Sequence, residues 1–155
     1  METMIKENKK QVEKITSGLN TLLSNYQIYY QNLRGLHWLV KGERFFVLHE
    51  KYEQWYTEAA ETIDEIAERI LMLQGTPLHG FDDYLSESEI EPVKGIKDGK
   101  QGVSVVLNNS RQLLERMRIV MEDAGEAGDE GTSDLLSGLI SNTEKRIWML
   151  NSFLG

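Results

Sequence analysis

The sequence predicts an all-α fold: a four-helix bundle with one long crossover, carrying a short helix, between its second and third helices. Three observations lead there. Apolar residues recur every three or four positions through four long stretches. Both prolines, with three glycines, fall in a single stretch between Thr76 and Lys100. No strand-like alternation or internal repeat interrupts the pattern. The 155 residues suffice for one domain, 1–155, with an independent core, and residues 1–9 are expected to form a mobile tail.

The first helix is expected from about Lys10 to Trp38, where Val12, Ile15, Leu19, Leu22, Tyr26, Tyr29, Leu33 and Leu36 hold the helical period. Leu39 to Arg44 is the turn, with Gly42 as its flexible point. The second helix runs from Phe45 to near Gln74. Its core stripe is Phe45, Leu48, Tyr52, Trp55, Ala59, Ile63, Ile66, Ile70 and Leu73, and its polar arc is Lys51, Gln54, Glu58, Glu61, Glu65 and Arg69. Gly75 and Pro77 supply the stop. The crossover follows, with a short helix around Asp82 to Ser88. The third helix reads from about Gly102 to Ala124, GEAGDEG turns the chain, and the fourth runs from about Thr132 to Phe153.

Composition removes several classes of function. The absence of cysteine excludes disulfides, zinc–thiolate sites and thiol catalysis. With 17 basic against 25 acidic residues the net charge is −8, which argues against binding nucleic acid by charge alone and suits the gathering of cations. The first residues lack the apolar core of a signal peptide and no apolar run approaches a membrane span, so a cytoplasmic protein is expected. Gly-rich phosphate loops and Ser/His/Asp constellations do not stand out. His79, in the crossover beside Gly80 and without an acidic residue at helical spacing, reads as a surface residue.

Chemistry concentrates between His37 and Glu68, a stretch holding two of the three histidines. On a helical wheel at about 100° per residue, His49, Glu53, Asp64 and Glu68 fall within roughly 100° of one another, while the core stripe is centred about 130° away. Imidazole and carboxylate at helical spacing are transition-metal ligands. Phe46, Tyr56, Ala60, Ala67 and Leu71 share that sector, so the helix has a second, partly apolar face. His49 and Glu68 are 19 residues apart, about 28 Å of helix, a gap that bonds of about 2 Å cannot close within one chain. An antiparallel copy of the same helix about a two-fold axis closes it, setting His49 and Glu53 opposite Asp64 and Glu68 of the copy. His37 joins them if the chain turns near Gly42. Each residue alone also fits a plainer role, since His37 continues the apolar stripe and spaced acids often form a solvated face. Their joint placement favours a site between subunits.

These residues resemble the Dps family, the dodecameric mini-ferritins that protect bacterial DNA in starvation and oxidative stress. The resemblance covers nearly the whole chain and is carried by HW with LHE twelve residues later, IDEIAERI, and KRIWML near the end. It implies a ferritin-like bundle, whose one long crossover accounts for the stretch between the second and third helices. It implies that His37 and His49 of one subunit, with Asp64 and Glu68 of its two-fold mate, form a ferroxidase site. The further ligand, commonly aspartate in the family, is here Glu53.

The resemblance further implies oxidation of Fe(II) to Fe(III), with hydrogen peroxide the favoured oxidant, and storage of ferric mineral in a hollow homododecamer. At most two irons occupy each intersubunit site. His37 and His49 would hold the first with Asp64 or Glu68, while Glu53 and the shared carboxylate would hold the second. Trp38 matches a position beside the site where an oxidisable ring can scavenge radicals; it also reads as a packed aromatic at a helix end. Asp129, Glu130 and Asp134 open the fourth helix, and Asp134 matches a pore-lining aspartate, although acids at a helix start are also favoured by the macrodipole. A conventional ferritin is disfavoured because neither the second nor the fourth helix carries E-x-x-H on its core face. A DNA-compacting, nucleoid-associated role has weak support: Lys6, Lys9, Lys10 and Lys14 are offset by Glu2, Glu7 and Glu13, and no basic segment ends the chain. A metal-free helical oligomer would leave the ligand alignment a coincidence.

Overall fold

The computed structural model describes residues 9–155 and contains five helices: α1 (Lys9–Leu39), α2 (Phe45–Met72), α3 (Phe81–Glu87), α4 (Gly99–Ala127) and α5 (Glu130–Leu154). Of the expected N-terminal tail, residues 1–8, Lys6 among them, lie outside the described residues; Lys9 opens α1. Among the described residues there is no strand, so the fold is all-α. α1 packs against both α2 and α4, α4 packs against α5, and the short α3 lies on α1. The stripes meet in one core, with Ile15, Leu19, Leu22 and Leu33 of α1, Ile66 and Ile70 of α2, and Leu113, Met117 and Val120 of α4 fully buried.

The direction of α4 explains the crossover. Gly99 and Gly102, at the start of α4, lie against Leu48 and Tyr52 near the start of α2, and Gly102 also meets Leu36 near the end of α1. At its other end, α4 places Val120 against Gly18 and Asp123 3.3 Å from Lys14. α2 and α4 therefore run the same way, and the chain between them must travel back along the whole bundle. It does so along α1, where three asparagines serve as rungs. Asn20 donates to Thr76 O at 3.1 Å and accepts from Leu78 N at 2.8 Å. Asn25 accepts from Glu89 N at 2.7 Å. Asn32 donates to Glu91 O at 3.0 Å and accepts from Val93 N at 3.0 Å. An amide side chain offers both a donor and an acceptor, so each rung satisfies loop backbone that secondary structure leaves unpaired.

One assignment of the helical wheel changes. Arg69, expected in the polar arc of α2, is buried, because a distant partner, described below, draws it inward. The core stripe holds, with Phe45 and Ile63 half-buried against the core and its other members buried.

A charged anchor fixes the crossover to α4. Arg116 binds both carboxylate oxygens of Glu89, and Asn25 donates to Glu89 Oε1 at 2.9 Å. The Arg116 hydrogen bond is the main cause that holds the Glu89 carboxyl below its usual value of 4.5; partial burial opposes it. A depressed folded-state pKa contributes stability above the unfolded value, and that contribution disappears as pH falls through the folded value. Thermal melts of Glu89→Gln at fixed protein concentration should therefore lie below the parent near neutral pH, and the two should converge under acid. A constant gap across the carboxylate range would rule out Glu89 as the titrating anchor.

Candidate metal centre

His37 stands in the last turn of α1 and His49 in the second turn of α2, with Gly42 between them at φ 112°. That positive φ is open to glycine at little cost and reverses the chain tightly enough to lay the two histidines side by side. The imidazoles stack, with centroids 3.8 Å apart and planes 12° from parallel. Each ring nitrogen Nδ1 faces the other residue's backbone: His37 Nδ1 lies 2.6 Å from His49 O, and His49 Nδ1 lies 2.8 Å from His37 O. A carbonyl only accepts, so Nδ1 is the donor in both rings. The neutral rings are thereby held as Nδ1–H tautomers, and both Nε2 lone pairs are left free. A metal-binding imidazole needs this arrangement, in which the outer hydrogen bond fixes tautomer and aim.

The aromatic surroundings hold the pair in place. Phe45 stacks on His49 at 4.8 Å, and Tyr56 meets the His37 ring edge-on at 5.4 Å. His37 is buried and His49 half-buried. Glu53 Oε1 lies 3.8 Å from His37 Nε2, with its side chain 57% exposed. The supporting roles of Phe45 and Tyr56 are not visible from spacing, because in sequence both read as ordinary members of an apolar stripe.

The structure brings His37, His49 and Glu53 together; Asp64 and Glu68 are exposed further along α2. Among the described residues of one chain, no group of three or more His, Asp or Glu side chains is placed to hold a metal ion. Leu71 near the acids (57% exposed) and Phe46 near His49 (82% exposed) leave the second face of α2 uncovered. Trp38 is exposed, with the Arg34 guanidinium 5.0 Å from its ring. His79 is exposed, its Nδ1 bound to Pro77 O at 3.0 Å.

Of the three acids at the start of α5, Glu130 and Asp134 are exposed, whereas Asp129 is buried and caps the helix. Asp129 thus opens the helix as expected but is not among its exposed acids: its carboxylate is consumed by Thr132 and Arg69.

A ferritin-like domain matches residues 16–155. The DNA protection during starvation protein of Porphyromonas gingivalis is 42% identical over 144 residues, 93% of this chain and 91% of the relative. The chain belongs to the Dps family. Among solved structures, Dps from Vibrio cholerae O1, described as a member of a broad superfamily of ferritin-like diiron-carboxylate proteins, superposes with a TM-score of 0.94 at 43% identity, covering 96% of this chain and 93% of that one. Dps from Bacillus brevis gives 0.93 at 35% identity, covering 96% and 100%. Membership fits the five-helix order and the length of the crossover. Among the described residues no helix is long and apolar enough to cross a membrane.

The histidine clasp has a direct spectroscopic consequence. Nitrogen-15 correlation spectra of the metal-free protein with neutral imidazoles should show His37 and His49 as Nδ1–H tautomers. Nε2–H signals for either residue would contradict the geometry.

Proposed function

We propose that this Dps-family protein is a ferroxidase and iron store. It oxidises Fe(II) at sites shared between two-fold copies and keeps the ferric product inside a hollow homododecamer in the cytoplasm. DNA is protected because Fe(II) and peroxide are removed together. The observation that carries this reading is the clasped histidine pair, with two locked imidazoles, the Nε2 of His37 3.8 Å from Glu53 Oε1, beside a helix face that the chain leaves exposed.

The clasp supports a different sharing of the ligands. A nitrogen lone pair lies in its ring plane, and the two rings stack near-parallel with their centroids 3.8 Å apart, which favours His37 and His49 on different Fe(II) ions over both on the first. Two ions roughly 3.5–4 Å apart are the usual spacing of a two-metal site. The 3.8 Å between His37 Nε2 and Glu53 Oε1 is the width spanned by one ion with bonds of about 2 Å. Asp64 and Glu68 of a two-fold copy would supply the remaining oxygens. Nitrogen with carboxylate suits iron in this oxidation range. Hydrogen peroxide takes one electron from each of two Fe(II) and two protons, its O–O bond breaks, and two water molecules leave with no hydroxyl radical. Trp38, exposed beside His37, would intercept stray radicals.

A conventional ferritin site inside the bundle is opposed by what stands there. Tyr26, Tyr29, Trp55 and Arg146 line the recess there together with Glu58, Glu61 and Glu65, and the Arg146 guanidinium lies 5.3 Å from the Tyr29 ring. A buried guanidinium repels Fe(II), and no histidine lines this recess to complete the Glu-x-x-His pairs that such a centre uses.

Mixed assemblies test the shared site. Shells of His37→Ala/His49→Ala and shells of Asp64→Ala/Glu68→Ala should each be nearly inactive in Fe(II) oxidation. Co-expressed mixtures should recover activity, because some interfaces regain one complete site. Hetero-oligomers that form and stay inactive would defeat the model.

Iron uptake is proposed to pass Glu130 and Asp134 at the start of α5, where symmetry copies would concentrate negative potential. Asp134→Asn should slow uptake at low Fe(II) and low salt, with assembly and the oxidation site unaffected. Equal rates for mutant and parent would reduce Asp134 to a helix-start residue.

A further inference from the structure

Arg69 directly follows the candidate ligand Glu68, and its side chain is 9% exposed. Its Nη2 donates to Asp129 Oδ1 at 2.8 Å and its Nε to Thr132 Oγ1 at 2.9 Å. Asp129 has 1% of its side chain exposed, accepts the Thr132 backbone N–H at 3.0 Å, and also accepts the Thr132 hydroxyl. A Cβ at Gly131 would stand 2.7 Å from both Nη1 and Nη2 of Arg69, so the guanidinium lies where only glycine leaves room. Asp129, Gly131 and Thr132 thus serve a single planar fork, a geometry that lysine does not reproduce.

This fork is a strut between elements that pack chiefly on others. α2 packs on α1 and α5 on α4, while the guanidinium reaches across from the end of α2 to the first turn of α5. Buried ion pairs seldom add net stability, because desolvation offsets the attraction. What such a pair does supply is fixed geometry. Glu68 is exposed and only four residues before α2 ends at Met72; the last carbonyls there, of Arg69, Ile70 and Leu71, are closed by the N–H groups of Leu73, Gln74 and Gly75, and the Arg69 side chain ties this closed turn sideways to α5.

We propose that Arg69 is a positioning residue, bolting the last turns of α2 to the start of α5 so that the Glu68 carboxylate is aimed across the two-fold at the histidines of a second copy. The proposal rests on Glu68 being a ligand. It assigns Arg69 no contact with the metal, and it places Asp129 in the same strut.

Anaerobic Co(II) titration of assembled shells, followed by visible absorption, tests it. Parent shells should bind Co(II) at the shared site. Arg69→Met shells confirmed intact by light scattering should bind about tenfold more weakly, as outer-shell changes commonly do. Arg69→Lys should fall between the two, since it keeps the charge and loses the fork. Intact Arg69→Met shells with parent affinity and only a lower melting temperature would overturn the proposal and leave Arg69 merely structural. Parent shells that bind no Co(II) at the histidines would overturn Glu68 as a ligand as well. If Arg69→Met does not assemble, Thr132→Val keeps the ion pair and removes the Nε acceptor together with the hydroxyl bond to Asp129. A smaller loss in the same direction then supports the proposal, and unchanged affinity overturns it.

Discussion

The direction of α4 is the constraint on which the rest of the molecule depends. Because α2 and α4 run the same way, the chain between them must cross the length of the bundle, and its backbone must find partners along the way. Asn20, Asn25 and Asn32 of α1 provide them, so the crossover lies along α1. It also returns the chain to the turn between α1 and α2, where Lys41 N donates to Lys97 O at 3.0 Å. Loop, turn and candidate site are thus parts of one hydrogen-bonded assembly.

At that turn, backbone and side chain exchange roles. The carbonyls of His37 and His49 lie near the end of one helix and the start of the next, and each is used to fix the other residue's ring. The cost of ordering two imidazoles is met within the chain, before any metal arrives. The acids on α2 are left open: Asp64 and Glu68 are exposed, and so is Leu71 beside them. A half-site that is rigid on its nitrogen side and open on its oxygen side is what an oligomeric metal centre requires of each subunit.

Much of this was legible in the sequence, for physical reasons that also explain the misses. The helices and the crossover follow from local periodicity and from where proline and glycine cluster. The distance between His49 and Glu68 follows from helix rise alone, so the need for a second chain could be argued without coordinates. Arg69 was misplaced, and the burial of Asp129 missed, because local pattern treats polarity as exposure, and their burial depends on a contact between residues sixty positions apart, Arg69 and Asp129 themselves. The three asparagines gave no signal because a buried amide looks, locally, like any polar residue on a helix. Spacing put His37 and His49 at one level but carried no information about ring planes, and it is the ring planes that separate one shared ion from two.

The central claim is that each chain carries half of a two-ion site. The most direct test is anomalous diffraction from crystals of the assembled protein loaded anaerobically with Fe(II). The account predicts two peaks at each of the two symmetry-related sites of a two-fold interface, one near His37 Nε2 and one near His49 Nε2, both within bonding distance of carboxylates from the other chain. A single ion held by both imidazoles, or iron bound only by residues of one chain, would contradict it.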